Sequence, residues 1–293
     1  MARINTFLIG AQKAGTTSLY DWLSQHPQVS APGELKDYHF FSKDSFFNQG
    51  PDAIDKYYKS RSSIRLHGAV NYLYFDNIVA ERIFSYNPEA KIVICLREPV
   101  DRAVSAYKYF VRTQREFQSF GEAIRRELAA ELTSYQELAN QTYIGHGRYS
   151  DQISTYIEYF GRTRVHVLFY EEIIDGSLRG ESMDGLCDFI GIDSFDFSFT
   201  RLNASTLPRS PALNKILRGV MKPAILKRLM PLTTRKKIGK TLEKLNSSDD
   251  RIDVPIDEVS VCLLRAELCG QSHELSRLLG VDVDMVNGWA SSD

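Results

Sequence analysis

The sequence lacks the features that mark membrane, secreted and disulfide-rich proteins. Its 293 residues contain no run of about 18 apolar residues, so we expect no membrane span. The first apolar stretch, residues 4–9, is interrupted by Asn5 and Thr6, which is not typical of a signal peptide. Cysteine is scarce and has no CxxC spacing, which disfavours zinc and redox sites and favours a reducing, cytoplasmic compartment. The cysteines are Cys95, Cys187, Cys262 and Cys269.

An excess of either charge is also missing. The 36 Lys+Arg and 37 Asp+Glu residues give a formal net charge of -1, whereas nucleic-acid-binding proteins usually carry a marked basic excess, so we predict no nucleic-acid partner. The charge is nevertheless uneven, because residues 215–244 hold ten cations and one acid and the rest of the chain therefore carries -10. Two interpretations of this basic segment stay open: a solvated helix face, or a surface for an anionic partner.

Short apolar runs rich in β-branched residues alternate with helical patterns. The clearest predicted strands are Phe7–Ile9, Lys91–Leu96 and Arg164–Tyr170, and their nearly continuous apolar character is typical of strands buried on both faces of a parallel sheet. Helices are predicted over Thr16–Gln25 and Val100–Arg112. This alternation predicts an α/β fold in which helices flank a central parallel sheet.

The second half of the sequence is more helical. Ser119–Glu122 matches a capping box that opens a helix to about Leu132. Apolar residues recur at helical spacing over Tyr149–Phe160 and over Val259–Leu279, where Gly280 stops the pattern. Residues 201–214 are predicted to be a connecting loop. With no internal repeat, the chain is predicted to form a single domain over residues 1–293.

The most informative motif is a glycine-containing loop between the first strand and the first helix, with the sequence GAQKAGTTS over residues 10–18. Glycines permit a tight turn whose N–H groups face an anion, and the helix amino terminus adds partial positive charge. The pattern approaches the P-loop GxxxxGK[ST], but Thr16 stands where lysine is required and Lys13 precedes it. The predicted strand at residues 91–96 is followed by Arg97, a cation where a P-loop kinase has the carboxylate that holds Mg²⁺, so a nucleotide kinase or ATPase is the weaker alternative.

Together with a second segment, this loop resembles the sulfotransferases that use 3′-phosphoadenosine 5′-phosphosulfate (PAPS). Residues 7–19 (FLIGAQKAGTTSL) resemble their 5′-phosphosulfate loop, and residues 91–109 (KIVICLREPVDRAVSAYKY) resemble their 3′-phosphate strand, turn and helix. Further similarity lies at residues 38–41, 147–149 and 278–280 and at Trp289. The resemblance is closest to heparan-sulfate-type and bacterial carbohydrate sulfotransferases. It implies a P-loop-like three-layer fold, PAPS as donor, PAP as product, no required metal, and a hydroxyl acceptor such as a saccharide.

The resemblance also assigns the donor-binding residues. Lys13 would stabilise the charge that develops on the oxygen between phosphorus and sulfur. Arg97 and Ser105 would bind the 3′-phosphate, and Arg209 resembles a basic residue of a late loop that closes over the donor. The 5′-phosphosulfate would contact amides and hydroxyls of Gln12, Lys13, Ala14, Gly15, Thr16, Thr17 and Ser18. The alternative for Arg97 is a strand-end arginine that pairs with Glu98 or Asp101, and the alternative for Arg209 is an ordinary exposed loop arginine. Arg102 is expected to form only a surface ion pair.

The acceptor base is assigned less directly. Related enzymes carry a glutamate two residues before an aromatic-flanked histidine, and this chain has Asp37 there, two residues before His39. Asp37 is the first candidate for the base and His39 is the second. The alternatives are that Asp37 is an ordinary exposed carboxylate and that His39 is a histidine at the edge of the core. The second catalytic lysine of the glycosaminoglycan enzymes is absent near Gly68, which leaves Lys13, helped by Lys36. A binding module that has lost its activity is therefore a third hypothesis.

Overall fold

The computed structural model describes residues 3–59, 61–199, 207–208, 247–248, 254–286 and 289. Within these residues, five strands form a parallel sheet and two short strands pair in a separate antiparallel ladder. The parallel strands are β1 (Thr6–Gly10), β2 (Val29–Ser30), β3 (Ile64–Gly68), β4 (Lys91–Leu96) and β5 (Val165–Phe169). The antiparallel pair is β6 (Leu207–Pro208) with β7 (Ser247–Ser248).

Helices flank the parallel sheet and dominate the described chain after residue 99. Those before that point are α1 (Thr16–Ser24), α2 (Asp44–Phe47), α3 (Asp52–Asp55) and α4 (Asp76–Tyr86). The later helices are α5 (Pro99–Arg112), α6 (Phe120–Leu128), α7 (Tyr135–Gln141), α8 (Tyr149–Phe160), α9 (Tyr170–Ile174), α10 (Arg179–Ile190), α11 (Glu258–Glu267) and α12 (Gln271–Leu279). Short 3₁₀ turns cover Gly145–Gly147, Arg162–Arg164 and Val283–Met285. The predicted α/β fold is confirmed.

The apolar runs become the centre of the sheet. All five residues of β1 are buried, and residues 92–96 of β4 have no exposed surface, as expected for strands covered on both faces. The three predicted strands are therefore confirmed. The sequence patterns do not single out β3, because Arg65 and His67 interrupt its apolar residues. His67 is nevertheless fully buried, and the hydroxyl groups of Tyr58 and Tyr72 lie 3.1 and 3.0 Å from its ring nitrogens.

The strand order places two strand ends side by side for ligand binding. The order is β2-β3-β1-β4-β5, so the chain leaves β1 toward one side of the sheet and leaves β4 toward the other. In open parallel sheets, ligands bind at the carboxyl ends of the strands where the direction of winding changes. Here that point lies between β1 and β4, whose ends carry the glycine-containing loop and Arg97.

Two predicted helices end earlier than expected. The helix opened by the Ser119 capping box stops at Leu128 rather than near Leu132, because Ala130 adopts a positive φ of 56°. The helical pattern over Val259–Leu279 is divided into α11 and α12 at Gly270, which has a φ of 83°. Periodicity does not detect such breaks, since the apolar spacing continues on both sides of the turn.

Some predictions concern residues outside the described ranges. The basic segment 215–244 lies there, as do Arg209 and most of the predicted loop 201–214, of which residues 207–208 form β6. Within the described part, no helix combines the length and apolar character needed to cross a membrane. All four cysteines are free thiols, with Cys95 and Cys187 buried and Cys262 and Cys269 exposed.

Candidate active site

The loop after β1 turns tightly at the carboxyl edge of the sheet. The Ala11 N–H donates to the Cys95 carbonyl of β4 at 2.6 Å, which ties the loop to the neighbouring strand. Lys13 and Gly15 both adopt left-handed backbone, with φ of 67° and 78°. A Cβ at Gly15 would also lie 2.9 Å from the Tyr170 ring. Glycine is thus required at residue 15 both for its φ and for the close approach of Tyr170.

The predicted donor-binding residues of the loop divide by exposure. Gln12 is buried and its Nε2 donates to the Ala139 carbonyl of α7 at 3.0 Å, so its side chain anchors the loop. Ala14 is fully buried and can serve a ligand only through its backbone. Thr16 is buried, while the side chains of residues 17 and 18 are half-buried. The start of α1 has no side-chain cap and no acidic residue in its first turn, which suits an anion.

Lys13 lies in a partly dehydrated and cationic environment. Its Nζ sits 4.3 Å from the centre of the Tyr109 ring, in cation–π geometry. Burial, and to a smaller extent the positive charges of Arg112 and Arg97, together lower the pKa of Lys13 to about 8. Three cations therefore share one region of the sheet edge. Such an arrangement is unfavourable by itself and becomes favourable when an anion is bound.

Arg97 is held by an aromatic ring and keeps hydrogen-bonding capacity. Its guanidinium carbon lies 4.9 Å from the centre of the Tyr170 ring, the same ring that packs on Gly15. Its Nη2 also pairs with Asp101 at 3.3 Å, so one alternative interpretation of Arg97 is realised, but Asp101 is exposed and such pairs contribute little. The Nε of Arg97 is buried without a partner in the described structure. This donor group fits an anionic ligand.

One face of α5 continues the cationic region. Ser105, Tyr109 and Arg112 follow each other at helical spacing, so they project from the same side of the helix. Ser105 is half-buried and thus accessible to a ligand. Burial lowers the pKa of Arg112, and its Nε, like that of Arg97, is buried without a partner in the described residues. Arg112 therefore joins Lys13 and Arg97 as a candidate for anion binding.

Arg102 is not the surface residue that the sequence suggested. It is fully buried, and its Nη2 donates to the Tyr143 carbonyl. The half-buried carboxylate of Glu127 accepts the N–H groups of residues 143, 144 and 145 and contributes to the electrostatic environment of Arg102. The surface interpretation is wrong because α6 and residues 143–147 cover this face of α5. Arg102 therefore packs α5 into the core.

Asp37 is fixed in position by both its backbone and its side chain. Its N–H donates to the Gly68 carbonyl at 2.7 Å, and its Oδ1 accepts from the Val70 N–H at 3.1 Å and from Lys36 Nζ at 3.0 Å. Burial acts to raise the pKa of Asp37, but the Lys36 ammonium, the Val70 N–H and the charge of His39 together lower it below its usual value. Asp37 is thus a carboxylate at neutral pH, the form that a base requires.

The segment after β3 joins Asp37 to the glycine-containing loop. The N–H groups of Ala69 and Leu73 donate to the carbonyls of Leu8 and Ile9 in β1, at 3.0 and 2.8 Å. A Cβ at Gly10 would lie 2.7 Å from Leu73 Cβ, so the segment packs directly on the start of the loop. Because Val70 in the same segment binds Asp37, the candidate base is anchored at the end of β3, the strand next to the one that the candidate phosphate loop follows.

His39 lies beside α7 rather than in contact with the loop. Its ring centre is 6.0 Å from that of Tyr135, the first residue of α7. The Tyr135 hydroxyl lies 2.7 Å from Ser42 Oγ, and its ring stacks on Phe75 at 4.8 Å. One turn later, α7 accepts the hydrogen bond from Gln12. Helix α7 therefore borders both the predicted base segment and the loop.

Sequence reasoning missed three residues of this region: Tyr109, Arg112 and Tyr170. The helical spacing of Tyr109 and Arg112 from Ser105 was a usable signal, whereas the contact of Tyr170 with Arg97 and Gly15 joins β5 to two distant segments. In the described ranges, no group of three or more His, Cys, Asp or Glu residues is arranged to hold a metal ion. A cavity of about 300 Å³ is lined by Arg115 and by four residues of α7, Gln136, Glu137, Asn140 and Gln141.

Comparison with known proteins identifies the family. The model of the sulfotransferase domain family matches residues 3–215. The chain is 29% identical over 158 residues to the bifunctional heparan sulfate N-deacetylase/N-sulfotransferase 1 of Caenorhabditis elegans, covering 52% of this chain and 18% of that protein. It is 27% identical over 177 residues to the human heparan sulfate glucosamine 3-O-sulfotransferase 5, covering 57% of this chain and 48% of that protein. The matches thus span less than half the length of these relatives.

A solved structure agrees with this assignment. The sulfotransferase from Alicyclobacillus acidocaldarius superposes with a TM-score of 0.68 at 25% sequence identity, covering 96% of this chain and 98% of the other. The similarity therefore extends over the sheet and its flanking helices. The family match covers β1 to β5 and every residue of the candidate site described above. This chain belongs to the sulfotransferase domain family.

Proposed function

We propose that this protein is an enzyme that moves a sulfuryl group from PAPS to a hydroxyl group of an acceptor by in-line displacement. The observation that carries the proposal is the convergence of Lys13, Arg97 and Arg112 beside the glycine-containing loop. Such a cluster stabilises a polyanion, and PAPS is anionic at both its 5′ and 3′ ends. The family of the chain supplies the reaction type.

The residues present fit a donor with two anionic groups. The loop amides and the start of α1 would hold the 5′-phosphosulfate, where Lys13 would stabilise charge on the departing oxygen. Arg97, whose Nε is buried without a partner in the described structure, and Ser105 on α5 would hold the 3′-phosphate. PAPS, when bound, supplies the sulfuryl group, and PAP is the leaving group. Arg209 stays a prediction for the same role.

Asp37 is the residue we propose as the base. It is ionised, anchored to the end of β3, and adjacent to the segment that packs on the loop. It would accept the proton of the acceptor hydroxyl as the new sulfur–oxygen bond forms and the bond to the departing phosphate breaks. His39 stands as the second candidate because its ring also borders this region, beside Tyr135.

A carbohydrate is the acceptor class that we favour, because relatives of the chain are named as heparan sulfate and carbohydrate sulfotransferases. The buried and exposed free thiols are compatible with the cytoplasmic location that we propose. An anionic partner at residues 215–244 stays a prediction, since that segment lies outside the described residues. The family match disfavours the nucleotide kinase alternative.

The test is a sulfate-transfer screen with labelled PAPS across saccharides, lipid-linked sugars and small alcohols. We expect transfer by the wild type to at least one hydroxyl acceptor, and a loss of about a hundredfold or more in kcat for Lys13→Ala and Asp37→Asn. Retention of activity by Asp37→Asn would remove Asp37 from the mechanism and favour His39. Binding of PAP without transfer to any acceptor would favour a module that has lost its activity.

A further inference from the structure

Lys36 is an unusually buried lysine next to the candidate base. Its side chain is 9% exposed, and its Nζ lies 3.0 Å from Asp37 Oδ1. The Nζ also lies 5.9 Å from the centre of the Tyr20 ring of α1. A lysine rarely gives up this much hydration unless its charge is paired. The structure therefore commits this residue to Asp37.

Gly68 creates the space that Lys36 occupies. A Cβ at residue 68 would lie 3.2 Å from Lys36 Cδ and 2.8 Å from Tyr20 Cδ2. The lysine stem thus crosses the end of β3 where any other residue would place a side chain. The carbonyl of the same glycine accepts the Asp37 N–H at 2.7 Å. One strand end therefore fixes both the backbone of Asp37 and the path of its ammonium partner.

The hydrogen bonds of Asp37 leave one carboxylate oxygen for a substrate. Lys36 Nζ and the Val70 N–H both donate to Oδ1. The Asp37 side chain is 42% exposed, and Oδ2 carries neither of these two hydrogen bonds, so a ligand can approach the carboxylate. The backbone of Asp37 is left-handed, with a φ of 60°. An oxygen restrained on one side and open on the other is the geometry that a general base needs.

We propose that Lys36 is a positioning residue that keeps Asp37 ionised and directs its Oδ2 toward the acceptor hydroxyl. This inference rests on the proposed role of Asp37 as the base. In the proton-transfer step, Asp37 accepts the hydroxyl proton and becomes neutral, while Lys36 keeps its own proton. Lys36 acts through Asp37 and contacts neither the donor nor the acceptor.

Other groups around Asp37 do not replace this charge. His39 belongs to the same segment, Tyr20 faces it from α1, and Tyr72 faces it from the segment after β3. Burial and the charge of Asp37 itself raise the pKa values of both tyrosines, which are therefore neutral. Among the described residues, the Val70 hydrogen bond and the charge of His39 are the remaining influences that would oppose the effect of burial without Lys36. We therefore expect the pKa of Asp37 to rise when Lys36 is replaced.

The test compares Lys36→Met and Lys36→Arg with the wild type, with Lys56→Met as an exposed control. The first readout is kcat/KM for sulfate transfer at about pH 5.5 and pH 8. In Lys36→Met we expect the ratio of the high-pH to the low-pH value to rise about tenfold, because protonation of Asp37 then removes the base at low pH. Lys36→Arg should restore part of the wild-type ratio. Equal loss at both pH values would overturn the proposal, since it would indicate a merely structural role.

A second readout separates this inference from the proposed function. The titration of the Asp37 carboxyl carbon can be followed by NMR in protein labelled at aspartate, with Asp37→Asn to assign the signal. We expect the midpoint to move to higher pH in Lys36→Met and to stay unchanged in Lys56→Met, whether or not an acceptor is known. An unchanged Asp37 midpoint in a folded Lys36→Met protein would contradict the inference. If that variant does not fold, Lys36→Gln provides the same comparison.

Discussion

At the scale of single residues, donor binding depends most on the protonation state of Lys13. A lysine in water keeps its charge to about pH 10. Lys13 has a pKa of about 8, because it is partly buried and lies near Arg112 and Arg97. An anionic ligand favours the charged form, so binding above pH 8 must be accompanied by uptake of a proton.

The affinity for PAP should therefore decrease as pH rises past the pKa of Lys13. Below about pH 8 the residue is already protonated and affinity should be nearly constant, whereas above it the affinity should fall by up to about tenfold per pH unit. Calorimetric titrations between about pH 7 and pH 9 measure this dependence. Lys13→Met should bind more weakly and lose the dependence, and an unchanged slope in this variant would refute the assignment.

Arg112 should contribute to the same site although the motif does not include it. Replacing Arg112 with Gln removes a charge-assisted interaction, so PAP affinity should fall by about tenfold or more. It also removes a charge that lowers the pKa of Lys13, so the decline of affinity should begin at higher pH. Arg125→Gln, on the exposed side of α6, is the matched control. If Arg112→Gln binds PAP like this control, the cationic cluster does not include Arg112.

At the scale of the secondary-structure elements, those strands and helix starts that a local residue pattern specifies can be predicted from the sequence. Long apolar runs identify β1, β4 and β5, and the caps at Ser119 and the proline before Val100 place helix starts correctly. Strand β3 was not predicted, because its buried His67 is accommodated by hydroxyl groups of Tyr58 and Tyr72, contacts that the local pattern does not reveal. The break at Gly270 was also missed, since a positive φ leaves no trace in the apolar spacing.

The loop between β1 and α1 should depend on Gly15 more than backbone strain alone would require. Gly15→Ala introduces a strained φ and places its Cβ 2.9 Å from the Tyr170 ring. Gly270→Ala introduces comparable strain, at a φ of 83°, with no atom within 4 Å of the added carbon. Both should lose about 1 kcal/mol in stability from strain, but only Gly15→Ala should lose more and bind PAP weakly. Thermal unfolding and PAP titration make the comparison, and equal effects of the two variants would contradict it.

The packing of α5 against residues 143–147 should depend on Glu127. This half-buried carboxylate accepts three backbone N–H groups and lies in the electrostatic environment of Arg102. Glu127→Gln leaves part of this arrangement unsatisfied and should lower the free energy of unfolding by about 2 kcal/mol. Glu131→Gln, at an exposed residue, is the control. Equal denaturant midpoints for the two variants would show that the Glu127 charge does not stabilise this packing.

At the scale of the whole molecule, the candidate site is assembled from segments that are distant in the sequence. The motif around Lys13 and the helix after Arg97 were identifiable because each is local and each has a recognisable chemistry. The connection between them was not, since it depends on Tyr170 at the end of β5 and on Arg112 at the far end of α5. The single domain over residues 1–293 stays a prediction, because residues 209–246 lie outside the described ranges.

The central claim is that the loop at Lys13 and the strand end at Arg97 form one receptor for a nucleotide phosphorylated at both its 5′ and 3′ positions. Calorimetric titration of the wild type with PAP and with 5′-AMP tests it most directly, with Arg97→Gln as the paired variant. We predict that PAP binds about a hundredfold more tightly than 5′-AMP, and that Arg97→Gln loses most of this difference while its affinity for 5′-AMP changes little. Equal affinity of the wild type for the two nucleotides would contradict the account.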